Sequence, residues 1–384
     1  MNVPKLRFKD VDGREFPEWK DSTIGEKVNE KASKFNPEKH TDNFKCIELE
    51  HLSQNTGELL GYADTVDSKS IKNKFEAGDV LFGKLRPYLR KFLKAPFSGV
   101  CSTEIWVLKG KKISNDFLFQ FVQTENFITQ ANISSGSKMP RADWNVVSSA
   151  LAYFPSLPEQ TKIANFLTAI DEKITQFTQK YDLLKQYKKG VMQQIFSQKL
   201  RFKDDDGREF PEWEVREIGD VFKVTRGNVL SMGLVSETQT DVNQYPVYSS
   251  QTKNSGLSGY YNDYLYEDSI TWTTDGANAG DVNYRNGKFY CTNVCGVLIS
   301  NEGFANAFVA AMINAVSKKY VSYVGNPKLM NGVMAKISIE FPCVKEQTKI
   351  ANFLTAIDDK ITHTQTQLEA VKLYKKGLLQ QMFV

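Results

Sequence analysis

The chain has 384 residues, 41% apolar and 12% aromatic, a composition that fills ordinary cores and excludes disorder and fibrous repeats; at about 150 residues per domain it predicts two to three domains. Lysine and arginine number 49 against 45 acids, and the formal charge of +4 permits a nucleic-acid partner without demanding one. No apolar run of about eighteen residues occurs, and MNVPKLRFKD puts charge where a signal peptide has its apolar core, so a cytoplasmic protein with no membrane partner is expected. Five cysteines (Cys46, Cys101, Cys291, Cys295, Cys343) and three histidines match neither a disulfide framework nor a CxxC zinc pattern, so buried or incidental thiols, no metal and no cofactor are expected.

The first element is a short segment within residues 1–19, LRFKDVDGREFPEW from Leu6 to Trp19. A cassette of 139 residues follows, Lys20 to Pro158, with β-rich runs at Phe44–Leu49, Asp79–Phe82 and Ile105–Leu108 and a helical pattern at Asn115–Thr129. Residues 159–199 are the next element. Ile163, Leu167, Ile170, Ile174, Phe177, Tyr181, Leu184, Val191 and Ile195 fall at alternating steps of four and three, broken only at Lys188, which predicts a coiled-coil helix with Pro158 in its first turn.

Residues 200–213 then repeat the opening segment as LRFKDDDGREFPEW, at an offset of 194 with one change. The second cassette, Glu214 to Lys345, has 132 residues, with strands predicted at Tyr245–Tyr248, Ser269–Trp272 and Gly296–Ile299 and a helix at Phe304–Tyr320. Residues 346–384 close the chain. EQTKIANFLTAIDDKIT from Glu346 repeats EQTKIANFLTAIDEKIT from Glu159 at an offset of 187, and YKKG at Tyr187 recurs at Tyr374. The seam residues here are Ile350, Leu354, Ile357, Ile361, Leu368, Val371, Leu378 and Met382, with Thr364 and Lys375 as exceptions.

A frame kept nearly identical around two unlike cassettes predicts one scaffold presenting two specificities. The cassettes still align loosely, with Cys101 opposite Cys291, Leu108 opposite Leu298, and Ser135-Gly136 opposite Val324-Gly325. Each helix is about 60 Å long at about 1.5 Å per residue. Each cassette connects the end of one helix to the start of the other, and a domain of about 135 residues, with a radius of gyration of about 14 Å, is too small to span that length. The helices are therefore expected to be antiparallel.

This architecture, with AGDVLFGKLRPYLRK at Ala77 to Lys91 and LPEQTKIANFL at Leu157 to Leu167, resembles the DNA-specificity subunit of type I restriction-modification systems. In the second copy the helix start reads CVKEQTKIANFL, with Lys345 in the place of Pro158. The resemblance covers essentially the whole chain. It implies an α+β fold of two globular mixed α/β target-recognition domains, joined by a pair of long antiparallel coiled-coil helices with a pseudo-two-fold internal repeat. It also implies a non-catalytic subunit in which each domain reads one half of a bipartite double-stranded DNA site. The helices would set the spacer and dock two methyltransferase subunits, with restriction and translocase subunits joining the full complex.

The residues offer contacts of that kind. Lys84, Arg86, Arg90, Lys91 and Lys94, interleaved with Phe82, Tyr88 and Phe92, suit a phosphate-contacting strand or loop with an arginine able to fork onto guanine; a solvated basic surface over core aromatics is the alternative. In SSGSKMPR, the candidates are Ser135, Ser137, Lys138 and Arg141, in competition with a plain turn. In the second cassette, Asp275 and Asn278 of TTDGANAGD suit base edges, unless that run is only a hairpin tip. Ser249, Ser250 and Lys253, with Asn326, Lys328 and Asn331, complete the surface.

Enzyme alternatives find little support. GDVNYRNGK at Gly280 to Lys288 has the wrong spacing for a phosphate loop. Asn326-Pro327 lacks the aromatic that an adenine methyltransferase would stack on a flipped base, and Glu340 with Lys345 is too sparse for a metal-dependent nuclease. A coiled-coil scaffold without a DNA role is the remaining alternative, and two elaborate, unlike domains argue against a mere spacer.

Overall fold

The computed structural model describes residues 4–39, 42–65, 69–133, 139–250 and 254–383. They form two compact units, Met1–Tyr181 with Thr364–Val384, and Asp182–His363. Each unit therefore holds one cassette and one half of each long helix, Leu157–Phe196 and Val344–Met382.

In the first unit, Lys20–Thr23 pairs antiparallel with Leu151–Phe154, closing the cassette on its own two ends. A five-stranded sheet runs Lys34–Phe35, Lys72–Phe75, Gly99–Ser102, Lys45–Ile47, Ala63–Asp64, and a four-stranded antiparallel sheet runs Val28–Asn29, Ile105–Gly110, Val80–Gly83, Phe92–Lys94. Phe82, Trp106, Phe117, Phe121 and Phe127 fill the core with Ile163 and Leu167 from the start of the first long helix and Leu378 and Met382 from the end of the second. The two helices are thus antiparallel, and the four- and three-residue steps of the sequence are the buried face.

The second unit repeats this plan. Glu214–Glu217 pairs with Ser338–Phe341, and a six-stranded sheet runs Lys223–Arg226, Cys295–Ile299, Tyr266–Thr273, Val282–Cys291, Tyr245–Tyr248, Leu257–Tyr261. Here the end of the first helix (Val191, Ile195) shares a core with the start of the second (Ile350, Leu354, Ile357). Among the described strands each cassette has one parallel pair, and Cys101 opposite Ile47 occupies the same place as Cys291 opposite Tyr248.

The repeated residues make the same contacts twice. Arg7 forks onto Glu159 with Nε and Nη2 at 3.0 and 2.8 Å, and Arg201 forks onto Glu346 at 3.2 and 2.9 Å. Both carboxylates are buried, where a charge is tolerated only if paired and hydrogen-bonded. Gln160 Nε2 donates to the Pro155 carbonyl at 3.0 Å, and its Oε1 accepts from the Ser114 amide at 3.0 Å. Gln347 likewise donates to Pro342 at 2.7 Å and accepts from the Asn306 side chain at 3.0 Å. Ser114 and Asn306 are the N-caps of the cassette helices Asn115–Phe121 and Ala307–Ser317, so each Glu-Gln pair ties a long helix both to a repeat segment and to a cassette. This accounts for the Glu-Gln being kept where Pro158 becomes Lys345. The helix ends match too: the Leu200 amide donates to the Gln194 carbonyl at 3.1 Å, and the Leu6 amide to the Gln381 carbonyl at 3.0 Å.

Two sequence expectations are corrected. The helix expected over Asn115–Thr129 is two helices, Asn115–Phe121 and Glu125–Asn132, because the Thr124 hydroxyl donates to the Phe121 carbonyl at 2.8 Å and accepts from the Phe127 amide at 3.3 Å. The helix expected from Phe304 starts at Ala307, since Asn306 caps it by accepting from the Val309 amide at 3.0 Å, and a 3-10 turn, Lys318–Tyr320, follows its end.

Candidate DNA interface

In the first unit the basic run lies between two antiparallel strands, Val80–Gly83 and Phe92–Lys94, so residues 84–91 form a hairpin connection. Phe82 and Phe92 point into the core, and the exposed aromatic is Tyr88. The loop is held firmly. The Arg86 amide donates to the Pro140 carbonyl and the Ala142 amide to the Lys84 carbonyl, both at 2.8 Å, which brings the loop against the segment carrying Arg141. Arg86 and Arg90 flank Pro87–Leu89 in left-handed conformations, φ 52° and 49°, which cost non-glycine residues about 1 kcal/mol or more each.

The cations of this loop divide into two groups. Arg90 donates to Glu125 at 2.5 Å and holds that carboxyl below its usual range; Arg141 forks onto Glu104 at 3.0 and 3.2 Å. Lys91 Nζ donates to the Leu49 carbonyl at 2.6 Å, and Lys94 pairs with Asp116. Lys84 is half-buried, its amide donating to the Glu104 carbonyl at 2.9 Å. Arg86 and Tyr88 stand exposed on the outer face, and Arg86 has no ion pair among the described residues. Ser135, Ser137 and Lys138 lie outside the described residues, as does Lys253.

In the second unit, TTDGANAGD leads through the hairpin connection between Tyr266–Thr273 and Val282–Cys291, the hairpin-tip geometry named above as an alternative. It meets GNPKLMN directly. The Gly276 amide donates to the Pro327 carbonyl and the Leu329 amide to the Thr274 carbonyl, each at 2.9 Å. Asp275 accepts from the Thr274 hydroxyl at 2.6 Å, and its other oxygen lies 3.8 Å from Lys328 Nζ, so Asp275 and Lys328 are close enough to offset each other's charge. Asn278 is half-buried and its carbonyl accepts from the Asp281 amide at 3.0 Å, whereas Asn326 is exposed. Asn331 opens the helix Asn331–Ala335, with its side-chain oxygen buried and unpartnered among the described residues.

Ser249 and Ser250 are half-buried, and the Ser249 hydroxyl accepts from Thr292 at 3.0 Å. Beneath them the sequence reading missed Arg285. Its guanidinium lies 3.7 Å from the centre of the Tyr248 ring and donates to Thr271 Oγ1 at 2.9 Å and to the Ser255 carbonyl at 2.7 Å. Burial lowers its pKa. A lone arginine within a strand carries no local motif, so nothing in the sequence marked it.

Among the described residues no helix is long and apolar enough to cross a membrane, and no group of three or more His, Cys, Asp or Glu side chains is placed to hold a metal.

Residues 18–186 and 211–373 match the family described as the type I restriction modification DNA specificity domain. The chain is 41% identical over 140 residues to S.MpnORF289P of Mycoplasma pneumoniae, described as the N-terminus of a type I specificity subunit, covering 36% of this chain and 73% of that protein. It is 34% identical over 170 residues to the specificity subunit of the type I restriction enzyme MpnII of the same organism, covering 43% of this chain and 50% of that one. Its fold is similar to that of the S subunit of a type I restriction-modification system from M. genitalium, with a TM-score of 0.66 at 15% identity, over 100% of this chain and 99% of that chain. With two matching segments, each on its own mixed α/β unit, the chain belongs to the DNA-specificity subunits of type I restriction-modification systems, the non-catalytic component that binds DNA in the complex.

Proposed function

We propose that each cassette reads one half of an asymmetric, bipartite duplex site in the cytoplasm, and that the two long helices set the spacer between the halves. The observation that carries this reading is the contrast between frame and cassette. The same Arg-Glu and Gln contacts recur in both units, yet the exposed loops of the two cassettes differ in chemistry: Arg86 and Tyr88 stand out on one, Asn326 and Lys328 on the other. Arginine reads guanine by two parallel hydrogen bonds and asparagine reads adenine, so unlike loops on a common frame suit unlike half-sites. The test is to exchange Lys20 to Pro158 for another cassette of the family and map methylated adenines across the genome of cells carrying the chain and its methyltransferase. One half-site should change and the other persist; a change in both would refute the division of labour.

The helices also support a role in docking two methyltransferase subunits, with restriction and translocase subunits joining them. Tyr187 and Tyr374, one in each YKKG copy, are 54% and 56% exposed. Gly190 and Gly377 sit inside the helices, where glycine costs about 0.5–1 kcal/mol relative to alanine, and a Cβ on either would meet nothing within 4 Å. Among the described residues nothing requires either glycine, whereas a partner helix approaching closely would.

A further inference from the structure

In the second unit, Ser322 and Lys328 hydrogen-bond each other in both directions, amide to carbonyl at 2.9 Å each way, pinching residues 323–327 into a narrow loop. The base is anchored in the core: Leu329 is fully buried and its carbonyl accepts from the Trp272 indole at 3.0 Å. The Gly276 amide holds the far side through the Pro327 carbonyl. Gly325, at φ 77°, makes the turn. A loop fastened on both sides cannot fold its tip back into the unit, and that tip is apolar: Tyr323 is 70% exposed and Val324 93%. Exposed Lys319, Asn326 and Lys328 neighbour it in the chain.

We propose that Tyr323 and Val324 form a wedge that enters the base stack of duplex DNA at a single step of the half-site read by this unit, with Lys319 and, once drawn off Asp275, Lys328 on the flanking phosphates. The proposal rests on the reading of the chain as a bipartite DNA reader. Apolar side chains that part base pairs are presented among cations that grip the backbone, which is the chemistry grouped here. A groove on another protein would accept the apolar tip but would have to desolvate the lysines. The matching contacts of Pro140 and Pro327 set Gly136-Ser137 in the sequence of the first cassette opposite Tyr323-Val324, both small, one residue away from the alignment expected from sequence, so the wedge belongs to one half-site alone. Unstacking is easiest at pyrimidine–purine steps, so such a step should lie under the tip.

The test uses the full chain bound to its methyltransferase on duplexes carrying the mapped site, with 2-aminopurine substituted at each position in turn. Fluorescence should rise at one step in one half-site. The Tyr323→Ala, Val324→Ala double variant should abolish the rise and weaken binding about tenfold, the worth of one lost stacking contact, while Val324→Ile keeps both. Circular dichroism should show the double variant folded, since both side chains lie outside the core. Tight binding with no fluorescence rise, or a rise that survives the double substitution, would overturn the wedge. A double variant that no longer joins the methyltransferase would also overturn it, by showing that the tip docks protein. A wild-type complex that binds no duplex at all would instead overturn the DNA-reading function on which the wedge rests.

Discussion

Lys375 of the second long helix donates to Asp171 of the first at 2.5 Å and to Gln123 Oε1 at 2.6 Å, and it occupies a seam position that the sequence pattern reserves for an apolar side chain. The offset of 187 carries Asp171 onto Asp358 and Lys188 onto Lys375, and Lys188 indeed reaches Asp358 at 2.5 and 2.7 Å. One ion pair is therefore made twice, in two different surroundings.

The surroundings set the first prediction. The Lys375 side chain is 10% exposed and that of Lys188 28%. Asp171→Asn should cost about 3 kcal/mol by stranding a buried ammonium, whereas Asp358→Asn should cost about 1 kcal/mol or less, as for a solvated pair. Denaturant unfolding of the two variants gives the comparison, and equal losses would rule out burial as the cause. Burial also holds the folded pKa of Lys375 below its ordinary value of 10.5. The folded chain therefore releases this proton first as pH rises, so stability should climb between the folded pKa and 10.5 and level off above it.

The buried carboxylates set the second. Glu346 Oε2 also accepts from the Trp213 indole at 3.1 Å, whereas the Trp19 indole nitrogen is buried and unpartnered among the described residues. Glu346→Ala should therefore exceed Glu159→Ala in cost by about 1 kcal/mol, one hydrogen bond. Both should make their repeat segment sensitive to proteolysis, the first within residues 200–213 and the second within 4–19. Unchanged cleavage would mean that the clamps do not hold the segments.

Arg86 and Lys91 should separate binding from stability. Arg86→Ala removes an exposed side chain, so melting should be unchanged while affinity falls by about 1–3 kcal/mol at one base position. Lys91→Ala removes the donor to Leu49 and should lower stability by about 1 kcal/mol. Melting curves and site-variant binding measure both, and an affinity loss from Arg86→Ala that is equal on every sequence would make it a phosphate contact.

Gly190→Ala with Gly377→Ala should stabilise the free chain by about 0.5–1 kcal/mol per site, and at the same time weaken its binding to the methyltransferase. Titration with the partner decides the point; undiminished assembly would remove the glycines from the docking surface.

The frame of this protein was legible in its sequence because both of its signals are local. Steps of four and three placed Ile163, Leu167, Val191 and Ile195 in the seam, and literal repetition located the second copy. The strands that lead into the two hairpin loops were legible too, but the partners of the loops' side chains were not. Arg7 and Glu159 are 152 positions apart, and Arg90 and Glu125 35, so only the folded chain shows that one arginine holds the frame and that another of the candidate cations is already neutralised. Exposure was hidden for the same reason: Tyr323 and Val324 belong to no motif, and the fastenings of Ser322 to Lys328 and of Gly276 to Pro327 keep them in water.

The Leu6 amide caps the end of the second long helix as the Leu200 amide caps the first, although only Leu200 is joined to its helix by a short covalent link. The contact does not depend on that link. The order in which the gene reads these parts is therefore separable from the architecture they build: a chain rewired to begin at Leu200 and finish at Lys199, with a flexible tether bridging the former ends, should retain every pairing described above. The frame contacts depend on which segments meet, not on where the chain is cut open.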